Sequence, residues 1–127
     1  MHDIADFADI LDTCEVAGWG VTWDNWPDVD NAGTYIFDFS APSPTGIENY
    51  MFNVVASSPS ELITEIKNHC AEFSVDAHVE DIMKNTIDAK NYPASTLVES
   101  ANGIKDMLAD LSADVGKLAI TRGDDAR

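Results

Sequence analysis

The apolar positions change period twice along the chain. Ile4, Phe7, Leu11 and Cys14 recur at three- and four-residue steps, which predicts a helix over residues 3–17, ended at Gly18. Alternation then takes over. Trp19, Val21 and Trp23 form one short set, Tyr35, Phe37 and Phe39 a second, and Tyr50, Phe52 and Val54 a third. Each reads as a strand with one apolar face. Gly33 ends the first connection, and Pro42 and Pro44 forbid a continuing central strand in the second. Short connections make the three strands an antiparallel meander.

The helical period returns after Ala56. Ser58-Pro59-Ser60-Glu61 reads as a helix start, with Ser58 as N-cap, Pro59 at the first helical position and Glu61 closing a capping box. Leu62, Ile66, Cys70 and Phe73 carry that helix's stripe. A third helix, from Ser74 or Asp76, is expected to bury Val79, Ile82, Met83 and Ile87, and Asn91-Tyr92-Pro93 breaks it. From Ser95 a fourth stripe runs through Leu97, Ala101, Ile104, Leu108, Leu111, Val115 and Leu118 in alternating steps of four and three. Such a stripe either packs inside the domain or forms the seam of a dimeric coiled coil. The expected fold is α+β: an N-terminal helix, a three-stranded antiparallel meander, then three helices packed on one sheet face. Residues 1–120 make one domain, and 121–127 a disordered polar tail.

Composition agrees with a folded domain. Of 127 residues 45% are apolar, too many for wholesale disorder. No run approaches 18 apolar residues, so no membrane span is expected, and the N-terminus lacks the basic and apolar regions of a signal peptide. The expected location is cytoplasmic. Cys14 and Cys70 both fall on apolar helix faces and are expected to be free, buried thiols.

Charge changes the picture most. There are 23 acidic residues against 7 basic ones, a net of −16. A small domain usually carries a net charge of about 2–8 in magnitude. Direct binding to nucleic acid or to an anionic membrane is excluded, since both need basic patches. No Lys or Arg precedes Lys67. In the first helix Asp3, Asp6, Asp9, Asp12 and Glu15 recur every third residue. On a helix this spacing sets neighbouring carboxylates roughly 7 Å apart on a spiral, of the order of the phosphate spacing along a nucleic-acid strand. Like charges at this spacing repel, and Asp12 and Glu15 oppose the helix dipole. Selection for stability alone would put bases there. Asp24, Asp28 and Asp30 surround Trp26 in the next loop, and Asp38 lies on the strand side opposite the apolar face. These residues are the expected partner-binding set, with Trp26 as the anchor.

Searches for chemistry return little. Asp28-Val29-Asp30-Asn31-Ala32-Gly33 half resembles a calcium loop, but Ala32 and Phe39 stand where ligands are needed. His2, His69 and His78 form no zinc pattern. There is no nucleophile elbow, phosphate loop or dinucleotide fingerprint. No metal, cofactor or enzymatic activity is expected.

Ser43-Pro44-Thr45-Gly46, Phe73-Ser74-Val75-Asp76-Ala77-His78-Val79, Tyr92-Pro93-Ala94-Ser95-Thr96-Leu97-Val98 and Ile104-Lys105-Asp106-Met107-Leu108-Ala109-Asp110-Leu111 resemble a group of small acidic proteins from gut bacteria and their mobile elements. The resemblance spans about 70 residues and implies a mobile-element setting, in which acidic anti-CRISPR and anti-restriction DNA mimics recur. It carries over no site residue. The expectation is therefore an acidic inhibitor that mimics nucleic acid and occupies the basic groove of a nucleic-acid-binding defence protein. A CRISPR effector subunit is the preferred partner. The alternative is a non-enzymatic interaction or adaptor module, monomeric or homodimeric through the last helix.

Overall fold

The computed structural model describes residues 3–25, 33–42, 45–46, 49–85 and 91–122. Its elements are a 3-10 turn at Ile4–Phe7, α1 (Ala8–Val16), β1 (Gly20–Asn25), β2 (Tyr35–Pro42), β3 (Asn49–Ala56), α2 (Pro59–Glu72), α3 (Val75–Asn85) and α4 (Ala94–Arg122). The architecture is the expected α+β one. The three strands pair antiparallel in the order β1-β2-β3.

The local signals explain most boundaries. Gly18, at φ 101°, takes the left-handed conformation that ends α1. Ser58 caps α2 by accepting the Glu61 amide at 3.1 Å. The Glu61 carboxylate reaches the amide of Ser57 rather than that of Ser58, so the expected box is displaced by one residue. Ser58→Ala should lower stability by about 1 kcal/mol, measured as a shift of the urea midpoint at unchanged slope.

One face of the sheet is covered. Phe37 and Phe39 are fully buried, with Tyr35, Phe52, Val54 and Ala56 beside them, and they join Phe7, Ile10, Cys14, Leu62, Ile66, Ile104, Leu108, Leu111 and Val115 in one core. Strand register places Asp38 opposite Thr22 and Asn53 on the other face, which is open. Over the covered face, α1 packs on the β1 side, α2 on the β3 side, and α4 against both. A satellite cluster of Ile82, Leu97 and Val79 attaches α3 to α4.

Several expectations need correction. The first helix is not continuous from residue 3. Asp3 and Asp6 cap each other's backbone and tighten the first turn to 3-10 geometry before α1 begins. Trp19 precedes β1 and crosses the core to pack edge-on against Phe52, ring centroids 5.4 Å apart. Its Nε1 is buried with no hydrogen-bond partner. Met83 is exposed, because only Val79 and Ile82 of α3 face α4. The fourth stripe is used internally, and at its end Ala119 is buried in place of Leu118. The 3.6-residue period of a straight helix has drifted past the heptad by that point. α4 runs through Thr121 and Arg122, the first two residues of the expected tail. Residues 123–127 and Ile87 lie outside the described residues.

Candidate functional site

The five helix carboxylates are all exposed. The structure divides their roles. Asp3 accepts the Ala5 amide at 2.9 Å, and Asp6 accepts the Asp3 amide at 3.1 Å. These two acids thus help to start the helix as well as adding charge. Asp9, Asp12 and Glu15 lie on α1 itself. Each three-residue step there turns the side chain about 60° backward, so the three spread over about 120° of the helix surface.

The sheet acids lie elsewhere. Asp24 is paired with Ile36, and Asp38 with Thr22, so both project from the open face. As diagonal neighbours on adjacent strands they stand roughly 7–8 Å apart. The Asp24 side chain also accepts the amide of Asn25 at 2.8 Å. Since α1 packs on the covered face, the sheet separates its carboxylates from Asp24 and Asp38. The two groups do not form one continuous line. Trp26, Asp28 and Asp30 lie outside the described residues, as does most of the half calcium loop.

A different acid joins the helix row. Asp12, Thr13 and Val16 of α1 and Asp114 of α4 line a groove of about 370 Å³. Asp106, Asp110 and Asp114 recur every fourth residue on α4, which is one helix face. That signal was present in the sequence, but the bases interspersed after Lys67 obscured it. Val16, 89% exposed, adds an apolar patch to the groove.

The opposite edge of the molecule holds an aromatic and histidine cluster that the sequence pattern did not reveal. His69 lies flat on Phe52, ring centroids 4.1 Å apart, and its Nε2 is 2.6 Å from the Tyr50 hydroxyl. Tyr50, Phe73, Ser74, Ala77, His78 and Asp81 line a pocket of about 170 Å³. Burial lowers the His69 pKa below its ordinary 6.5, against a smaller opposing pull from Glu72, and raises that of Tyr50 to about 12. The linkage has a definite sign. Above pH 6.5 His69 is neutral in both folded and unfolded chains. Below that, the unfolded chain takes up the proton first, and stability falls until the folded pKa is passed. Melting curves of the wild type and His69→Gln between pH 7.5 and 5 should therefore diverge on acidification, with the wild type losing more.

Both thiols are free. Burial pushes Cys14 up to about 12, with Cys70, Glu15 and Asp114 adding to it, and Cys70 up to about 11. Neither is a thiolate at neutral pH, so neither is a nucleophile there. Among the described residues no three His, Cys, Asp or Glu side chains are grouped to hold a metal ion. No described helix is long and apolar enough to cross a membrane.

These features define an α+β domain with an open, acidic sheet face and an acidic helix layer. No family model, characterised protein or solved structure matches the chain.

Proposed function

We propose that the protein is a non-enzymatic acidic inhibitor that mimics nucleic acid and occupies the basic groove of a nucleic-acid-binding protein. The observation that carries this reading is the placement of the charge. The first 66 residues contain no Lys or Arg, and Asp3, Asp6, Asp9, Asp12, Glu15, Asp24 and Asp38 are all exposed. A basic groove built to neutralise phosphates gains the same attraction from such a surface. Asp114 extends the α1 row across the groove to α4. Among targets of this kind, a CRISPR effector at the surface where the duplex enters is the preferred class, in keeping with the mobile-element resemblance.

The mechanism is competition. Complementary charge steers rapid association, and added salt weakens it. The test is an affinity capture from host lysate at about 100 and 500 mM salt, where the screening length falls well below its value of about 10 Å at 0.1 M. A nucleic-acid-binding protein retained at low salt, released at high salt and displaced by its own DNA or RNA supports the reading. Partners that are indifferent to both salt and nucleic acid refute it.

A further inference from the structure

The helix layer covers the two edges of the sheet unequally. On β3 the inward residues Phe52, Val54 and Ala56 are buried. On β1 every residue except Val21 is exposed, on both faces. Trp23 shares the covered face with Phe37, yet it is 45% exposed while Phe37 is fully buried. The Trp23 ring is held edge-on by Tyr35, ring centroids 5.6 Å apart, and its remaining surface is open. Among the described residues β1 pairs only with β2, which leaves the backbone groups along its outer side without a ladder.

Free edges are normally blunted by lysine, proline, a bulge or a covering element. Gly20–Asn25 contains neither Lys nor Pro, and it pairs with β2 residue for residue without a bulge. What protects this edge is charge. Asp24 and Asp38 lie on its open side, and neither the sheet nor its loops nor α1 holds a single base. Two copies pairing edge to edge would bring Asp24 close to its counterpart and join two chains of net charge −16. The same field attracts a basic strand.

We propose that β1 is a docking edge for an extended, lysine- or arginine-rich segment of a partner protein, which adds to the sheet as a fourth strand. Main-chain hydrogen bonds to β1 supply affinity, and the alternation of side chains supplies specificity. On the open side the segment's basic residues face Asp24 directly, with Asp38 one strand further, about 10 Å from the added backbone and in range of a long side chain. On the helix side an apolar residue covers the exposed part of Trp23. The proposal rests on the reading that the partner is basic, and it identifies where and in what conformation a basic segment binds.

The test uses two synthetic octapeptides of equal charge, one alternating Lys and Val, the other a Lys-Pro peptide made of two Lys-Pro-Pro-Lys units. Adjacent prolines leave no register in which every residue facing β1 keeps its amide hydrogen, so this peptide cannot form a continuous ladder. In titration calorimetry at about 100 mM salt, the Lys-Val peptide should bind about tenfold more tightly than the Lys-Pro peptide. Amide exchange followed by NMR should slow at alternate residues of 20–25. Trp23→Ala should reduce the tenfold advantage, since the ladder remains while the apolar contact is lost, and leave Lys-Pro binding unchanged. Equal binding of both peptides without protection of β1 overturns the docking edge and leaves the acidic-surface reading intact. Failure of both peptides to bind overturns both. Protection of β1 that rises with protein concentration in the absence of peptide assigns the edge to a second copy and overturns the proposal.

Discussion

Replacing Asp3, Asp6, Asp9 and Asp12 by Asn and Glu15 by Gln should weaken partner binding about 60-fold at low salt. Five exposed charge contacts at roughly 0.5 kcal/mol each amount to about 2.5 kcal/mol. The fold should survive. Asn is as good an N-cap as Asp, so the turn that Asp3 opens keeps its hydrogen bond. Stability should even rise, by about 1 kcal/mol at low salt, because repulsion along the helix and the adverse dipole at Asp12 and Glu15 are both relieved. The measurements are affinity across a salt series and a thermal melt of the same variant. A variant that binds as tightly as the wild type would remove the helix row from the site, leaving Asp24, Asp38 and the β1 edge.

Leu108→Lys should abolish cooperative folding. Leu108 is 1% exposed in the main core, between the fully buried Ile104 and Leu111. Truncating a buried Leu costs about 2–5 kcal/mol, and an unpaired buried charge adds several more. Together these match the whole stability of an ordinary domain, about 5–15 kcal/mol. Ile120→Lys is the control: Ile120 lies on the same helix but is 71% exposed, so its change should stay within about 0.5 kcal/mol. Circular dichroism and a melting curve separate the outcomes. A folded, soluble Leu108→Lys monomer would mean that the stripe is a dimer seam after all. Loss of the melting transition places it in the core, where Leu111, Val115 and Ala119 also lie.

Those two experiments address the points at which sequence and structure diverge. The apolar stripe of α4 was legible residue by residue, from Leu97 to Val115, but a heptad pattern is the same whether its partner is the chain's own sheet or another chain. The acid row of α1 was equally legible. Its first two members turned out to cap a 3-10 turn, a short-range hydrogen-bond exchange that spacing alone does not distinguish from a surface row. Asp114 was missed because its neighbour across the groove, Asp12, is some hundred residues earlier in the chain. Trp23 was assigned to the apolar face correctly, since it lies opposite Phe37. Its exposure follows from how far the helix layer reaches, which no local pattern encodes.

The sequence by itself determined the order of the elements, the inward face of each strand, the start of α2 at Ser58-Pro59, the stop at Gly18 and the excess of acid. All of these are short-range: side-chain period, capping and turn chemistry act within a few residues. Tertiary structure decided which surfaces those elements leave open. It put the α1 carboxylates and the pair Asp24 and Asp38 on opposite sides of the sheet, brought Asp114 beside Asp12, and left β1 uncovered. Packing is a contest among distant segments for the same apolar face, and its outcome depends on the lengths and angles of the whole helix layer rather than on any one stretch of chain.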